Sequence, residues 1–202
     1  MAEAYLRQGV LDHLHLDARA VREPGEERVA LCERRFVGKV NLRGRPTKRF
    51  LAAVGQALGF EPPVAANTAA GKGGRAALWL GPDEWLVVTP PGSAGETAEA
   101  LRAALKLQHC AVTEISDGRA VIGLSGARAR EVLMKGCPLD LHARAFKAGH
   151  CAQSTLAKAL VILHQTSDQP AYDIYVERSF ADYLWAWLED AAAEYGPAIV
   201  QG

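Results

Sequence analysis

The chain has 202 residues, 49% of them hydrophobic, and Lys+Arg and Asp+Glu both count 23, so its formal net charge is zero. That size and apolar content suit one large domain or two small, closely packed ones with a real core. A neutral surface excludes a broad field for nucleic acid or anionic membrane, and the apolar runs are far too short to span a bilayer.

The opening Met-Ala-Glu-Ala-Tyr-Leu-Arg-Gln-Gly holds no apolar segment of signal-peptide length, so the expected location is the cytoplasm. Cys32, Cys110, Cys137 and Cys151 are scattered, which predicts reduced, mostly buried thiols and no disulfide framework. His109-Cys110 and His150-Cys151 are adjacent pairs without C-x-x-C or H-x-x-x-H spacing, so no metal site is predicted.

Residues 1–27 read as an N-terminal arm ending in the charged turn Arg22-Glu-Pro-Gly-Glu-Glu. Its Leu11, Leu14 and Leu16, with His13 and His15 between, belong either to a solvated tail or to an extended piece laid across a partner. Strands are expected at Val29–Cys32 and Phe36–Leu42, followed by a turn at Arg43-Gly-Arg-Pro. Thr47 then caps a helix whose apolar side is Phe50, Leu51, Val54 and Leu58, and Gly59 stops it. Residues 61–75, rich in Pro, Ala and Gly, read as a loop, and Gly71-Lys-Gly-Gly lacks the spacing and the Ser/Thr of a phosphate-binding loop.

Ala77-Leu-Trp-Leu and Trp85-Leu-Val-Val flank Gly81-Pro-Asp-Glu as a hairpin. Ser93 and Glu96 form a capping box ahead of a helix carrying Leu101, Ala104 and Leu105, and Val112–Ile115 is the next strand. After Ser116-Asp-Gly, the run Val121, Ile122, Leu124 is a strand, Ser125-Gly126 supplies a turn and a capping oxygen, and Ala129, Val132 and Leu133 recur at helical spacing. Glu131 and Lys135 are placed to pair one turn apart, and Gly136 and Pro138 end that helix.

The semi-apolar stretch Leu139–Gln153 reads as irregular and as a contact surface. Strands follow at Leu156–His164 and Tyr172–Val176, with turn signals in Ser167-Asp-Gln-Pro. Ser179 and Asp182 make a second capping box, and Phe180, Tyr183, Leu184, Trp187 and Leu188 make one apolar stripe. Trp185 lies off the stripe, either as an outward partner anchor or partly buried. A last short strand fits Ala198–Val200.

The order is β-α-β-β-α-β, then β-α-β-β-α with a final strand: two split βαβ units in tandem. The expected fold class is α+β, two ferredoxin-like halves at about 28–116 and 117–202, each with helices over one face of an antiparallel sheet. No catalytic constellation stands out. Ser125 is not in a G-x-S-x-G elbow, and His142, His150 and His164 have no motif tying them to a carboxylate or thiol. Cys137 follows a helix C-terminus, where the dipole disfavours a thiolate.

Five strings together carry a family resemblance: Leu78-Trp-Leu-Gly-Pro-Asp-Glu-Trp-Leu-Val, Asp117-Gly-Arg-Ala-Val-Ile-Gly-Leu-Ser-Gly, Lys135-Gly-Cys-Pro-Leu-Asp-Leu-His, Cys151-Ala-Gln-Ser and Tyr175-Val-Glu-Arg-Ser-Phe-Ala-Asp-Tyr-Leu-Trp. In this order, over roughly residues 29–196, they resemble the gamma subunits of heterotetrameric sarcosine oxidase. The resemblance implies a complex that oxidises sarcosine to glycine with hydrogen peroxide and, with tetrahydrofolate, methylenetetrahydrofolate. It implies alpha, beta and delta partner subunits, chiefly the large one bearing a folate domain. It also implies that FAD, FMN, NAD, zinc and tetrahydrofolate are held by those other subunits, with none in this chain. The expected role is structural, in assembly, without catalysis by this chain alone.

The wider similarity is to the folate-binding domain of glycine-cleavage aminomethyltransferases, where a Gly-Phe-Glu strand supplies a carboxylate to the pterin. Ala171-Tyr172-Asp173 occupies the matching place, which makes Asp173 a possible pterin contact or a relic of one. The glycine-rich approach of those enzymes is here His164-Gln-Thr-Ser-Asp-Gln-Pro, and their catalytic Asp motif is not visible. Ala143 and Ala148 stand where the pattern usually has prolines. A free-standing folate-binding protein, similar to the iron-sulfur maturation relatives of this fold, is the alternative; their Lys-Gly-Cys-aromatic-x-Gly-Gln motif is begun at Lys135-Gly136-Cys137 and then lost. RNA binding through a ferredoxin-like sheet, a third reading, needs exposed aromatics and a basic patch on strands; the neutral charge and the lack of an RNP-like string argue against it.

Overall fold

The computed structural model describes residues 7–21 and 29–202, so residues 1–6 of the arm and the charged turn expected at residues 22–27 lie outside the described residues. The strands are β1 (Ala30–Glu33), β2 (Gly38–Gly44), β3 (Ala69–Lys72), β4 (Arg75–Gly81), β5 (Glu84–Thr89), β6 (Cys110–Glu114), β7 (Arg119–Ser125), β8 (Cys151–Leu156), β9 (Ala159–Ser167), β10 (Ala171–Glu177) and β11 (Ala198–Ile199). The helices are α1 (Leu16–Arg19), α2 (Lys48–Leu58), α3 (Ala94–Leu105), α4 (Ala129–Met134) and α5 (Ala181–Ala192).

Among the described residues the strands form a five-stranded sheet, β3-β4-β5-β2-β6, and a six-stranded sheet, β11-β1-β7-β10-β9-β8. The first contains the split βαβ order β6-β2-β5-β4, with β3 added at the edge. In the second, β7, β10 and β9 take the corresponding places. The fourth place is filled by β1, antiparallel to β7, with β11 pairing parallel outside it. Sequence placed β1 in the half that ends near residue 116; its hydrogen bonds join it to the later strands.

Side-chain alternation explains the layering. Val40, Leu42, Trp85 and Val87 face α2 and α3, whereas Ile122, Leu124, Val161, Leu163 and Ile174 face α4 and α5. The intervening residues Leu78, Leu86, Val88, Val121, Ile162 and Tyr175 meet in a third core between the two sheets. The strand faces turned away from the helices are thus spent on each other, giving a helix-sheet-sheet-helix stack. The sheets are also stitched at one edge. Ala69 N–H donates to Gly149 C=O at 2.7 Å, and Gln153 Nε2 donates to Leu80 C=O at 2.8 Å.

α2 forms as expected: the Thr47 hydroxyl accepts from Phe50 N–H at 3.2 Å, Phe50, Val54 and Leu58 are buried, and Gly59 closes the helix at φ 85°. The expected capping boxes are absent. Ser93 has ψ near 0°, unlike the extended cap that aims a side chain at the third amide, and a 3-10 turn over Arg178–Phe180 leads straight into α5 past Ser179. No side-chain oxygen caps α4, and Glu131 pairs with Arg128 at 2.6 Å while Lys135 pairs with Glu194, so the expected Glu131–Lys135 pair and the Ser125 cap are not formed.

Three segments differ further from the sequence reading. The loop assigned to residues 61–75 contains β3, turned back on β4 by Gly73 and Gly74 at φ 61° and 78°. The strand expected over Leu156–His164 is cut by a turn at Ala157, at φ 52°, into the β8–β9 hairpin. Within Leu139–Gln153, Leu141 and Phe146 enter the core and Cys151–Gln153 belong to β8, while residues 142–145 stay exposed.

Leu11 and Leu16 of the arm are buried against the six-stranded sheet's core, so this part of the arm is neither a solvated tail nor free to lie across a partner. Trp185 is 1% exposed and its indole N–H donates to Glu189 Oε2 at 2.8 Å; it is a core residue and not an outward anchor. The buried stripe of α5 is Ala181, Leu184, Trp185, Leu188, Ala191 and Ala192, one position round from the expected stripe, which leaves Phe180 and Tyr183 exposed.

Candidate functional site

Asp173 lies on β10 opposite Gly123 of β7 and His164 of β9, on the face turned toward the other sheet. Gly123 is a spacing device: a Cβ there would stand 2.5 Å from Cys32 Sγ and 3.3 Å from Arg34 Nε. The missing side chain lets Arg34 reach across, with Nε 3.2 Å from Asp173 Oδ1. This is an ion pair without hydrogen-bond alignment, and Asp173 Oδ1 and His164 Nδ1 have no hydrogen-bond partner among the described residues.

The neighbours of Asp173 are held neutral. Burial keeps His164 below the ordinary imidazole value, against the pull of the Asp173 charge. Burial raises the Cys32 thiol, assisted by Asp173 and opposed by Arg34, and lifts the Tyr175 phenol well above its usual range. Burial pushes the Cys151 thiol up to about 11. At neutral pH the cluster therefore offers one ion pair among protonated thiols and phenol and a neutral imidazole, with no activated nucleophile.

His150 precedes Cys151 at the edge of this cluster, its C=O accepting from Gln165 N–H at 2.9 Å. His142 is exposed in the segment before β8, its Nδ1 accepting from Arg144 N–H at 3.2 Å, and Cys137 lies 3.8 Å from Ser154 Oγ. All four cysteines are free, Cys32 and Cys151 buried and Cys110 and Cys137 half-buried. Among the described residues no three His, Cys, Asp or Glu side chains gather to hold a metal ion, and no helix is long and apolar enough to cross a membrane.

Sequence reasoning passed over Arg34, Gly123 and Lys39. Lys39 alternates along β2 with Gly38 and Val40 like an outward polar residue, yet it is 3% exposed because the second sheet covers that face. Its Nζ donates to Val37 C=O at 2.9 Å. The available signal is a lysine in a run otherwise made of Val37, Gly38 and Val40, in a chain whose sheets have two apolar faces.

The family described as "Sarcosine oxidase, gamma subunit family" matches residues 43–194. Sarcosine oxidase subunit gamma of Corynebacterium sp. (strain P-1) is 40% identical over 168 residues, covering 83% of this chain and 81% of that relative. The subunit gamma of an Arthrobacter sp. is 39% identical over 175 residues, covering 85% and 84%. A chain of the heterotetrameric sarcosine oxidase from Corynebacterium sp. U-96, solved with pyrrole 2-carboxylate, superposes with a TM-score of 0.84 at 35% identity, over 96% of this chain and 98% of that one. Aminomethyltransferase T of the glycine cleavage system from Bartonella henselae superposes with a TM-score of 0.72 at 14% identity, over 96% of this chain and 59% of that one, a likeness of fold. This chain belongs to the sarcosine oxidase gamma subunit family.

Proposed function

We propose that this chain is a noncatalytic, structural subunit of a cytoplasmic heterotetrameric sarcosine oxidase. Its alpha, beta and delta partners hold FAD, FMN, NAD, zinc and tetrahydrofolate and oxidise sarcosine to glycine with hydrogen peroxide, or with methylenetetrahydrofolate when tetrahydrofolate is present. The observation that carries the reading is the Arg34–Asp173 ion pair: the carboxylate in the place of a pterin ligand already has its cation within the chain. A pterin edge offers N–H donors to a carboxylate. Here that carboxylate is engaged by Arg34 and crowded by the protonated Cys32 and Tyr175, so the residues present fit a pterin poorly.

The partner-facing surface in this reading includes the aromatic pair Phe180 and Tyr183, edge to face at 6.4 Å between ring centroids, and exposed Leu160 of the adjoining β8–β9 hairpin. Tyr183 ties the pair to that hairpin, its hydroxyl 3.3 Å from Lys158 N. Co-expression of the four subunits with a tagged copy of this chain tests the proposal. The expected result is co-purification of a flavin-coloured complex that oxidises sarcosine, with the isolated chain colourless, inactive and silent in calorimetry with tetrahydrofolate. Turnover by the lone chain, or tight folate binding to it, overturns the reading, the latter in favour of a free-standing folate-binding protein.

A further inference from the structure

At one end of the layer between the sheets, where the β1–β2 turn meets the start of β7, a cavity of about 40 Å³ is lined by six cationic side chains: Arg7, Arg34, Arg35, Lys39, Arg119 and Arg178. The lining carboxylates are Glu33 and Asp117. Three of the cations are already compensated. Arg35 pairs with Glu33 at 3.1 Å, Asp12 at 3.1 Å and Asp17 at 2.7 Å; Arg34 pairs with Asp173; and Arg119 pairs with Glu177 at 2.9 Å. Glu33 is spent as well, since Oε1 accepts from Leu11 N–H at 3.1 Å while Oε2 binds Arg35.

That leaves Lys39, Arg7 and Arg178 with no carboxylate in ion-pair range among the described residues. Arg7 lies over the Phe36 ring at 4.4 Å, and Arg178 is exposed at the rim. Lys39 is the anomaly. It is 3% exposed, and among the described residues its ammonium has only the neutral Val37 carbonyl as acceptor. A buried ammonium without a counter-charge is costly, and chains normally pair or neutralise one. The surroundings do push it toward neutrality: burial lowers Lys39 to about 8, with Arg119 and Arg7 adding to the fall and Asp117 opposing it. The volume suits a few waters or one compact oxyanion.

We propose that this cavity binds a small oxyanion, a phosphate or carboxylate group of a free solute, with Lys39 as its buried contact and Arg7 and Arg178 completing its coordination from the rim. The anion supplies the missing counter-charge. Neutral Ser116, which also lines the cavity, is engaged elsewhere: its Oγ accepts from Lys39 N–H at 3.1 Å and donates to Glu114.

Calorimetric titration of the full chain with inorganic phosphate, and separately with succinate, tests this and distinguishes the two anion types. The expected result is saturable one-to-one binding of at least one of them at millimolar concentration or below. Near pH 8 the binding takes up protons, visible as a heat that depends on the buffer's ionisation enthalpy, because the anion raises the affinity of Lys39 for its proton. Lys39→Met weakens binding by about tenfold or more, as expected for loss of a charge-assisted contact. Arg178→Ala, an exposed change that leaves folding intact, weakens it about threefold, while Lys48→Met on exposed α2 leaves it unchanged. Failure of both anions to saturate, or equal binding by wild type and Arg178→Ala with no proton uptake, overturns the proposal.

Discussion

Arg34 and Asp173 stand 3.2 Å apart, Nε to Oδ1, joining the end of β1 to the middle of β10 across the gap left by Gly123. If this pair is an internal strut, Asp173→Asn destabilises the chain modestly, by about 1 kcal/mol, the scale of a partly exposed ion pair. It leaves sarcosine oxidation by the assembled complex unchanged, with or without tetrahydrofolate. Urea denaturation and steady-state assays measure the two effects; a large loss confined to the folate-dependent product would assign Asp173 to the pterin instead.

The Gly123 gap is itself testable. Gly123→Ala places a Cβ 2.5 Å from Cys32 Sγ, an overpacking expected to cost about 1–3 kcal/mol. Adding Cys32→Ala recovers part of the loss, because the two residues share one space and their effects are not additive. Denaturation midpoints of the two single variants and the double variant close the cycle.

α5 offers a contrast between two aromatic residues. Trp185→Ala empties a buried site and leaves Glu189 without its indole donor, an expected loss of about 3–5 kcal/mol. Phe180→Ala, on the exposed face, costs less than about 1 kcal/mol of chain stability. It reduces the yield of co-purified partners, which a pull-down from co-expressing cells would quantify.

Lys39 makes stability depend on pH. Its folded value of about 8 lies below the ordinary 10.5, so between those values the unfolded chain binds more protons and the contribution of this residue to stability rises with pH. Below about 8 the residue is charged in both states and the cost of burying it is fully felt. Asp117 opposes this effect and Arg119 and Arg7 reinforce it. At pH 7 and without added anion, Lys39→Met is therefore neutral or stabilising by up to about 2 kcal/mol, and the gain fades as pH rises toward 10. Thermal unfolding of both proteins across that range checks the sign.

Local chemistry made some elements legible. Thr47, the i, i+4, i+8 spacing of Phe50, Val54 and Leu58, and Gly59 define α2 without help from the rest of the chain. Likewise Gly81-Pro-Asp-Glu between two β-rich runs marks the β4–β5 hairpin. What escaped depends on contacts distant in sequence. β3, Ala-Ala-Gly-Lys, has no β-forming side chain and is a strand because β4 and the segment before β8 supply its hydrogen bonds. The β8–β9 turn at Ala157-Lys158 carries no Gly or Pro, so the run of β-formers reads as continuous.

The α5 stripe was misplaced because Ala181, Ala191 and Ala192, which define the true buried face, carry little hydrophobic signal beside Phe180 and Tyr183. At the candidate site Asp173 was visible, through resemblance. Its partner Arg34 and the buried Lys39 were not, because only the stacking of two sheets turns those strand positions inward.

The insertion of β1 between β7 and β11 sets an order on biosynthesis. The backbone groups of Ala30–Glu33 must wait for Arg119–Ser125, and then for Ala198–Ile199, to be made before they are satisfied. Until then the five-stranded sheet carries an uncovered apolar face, the kind of nascent surface that chaperones or an early-arriving partner would shield.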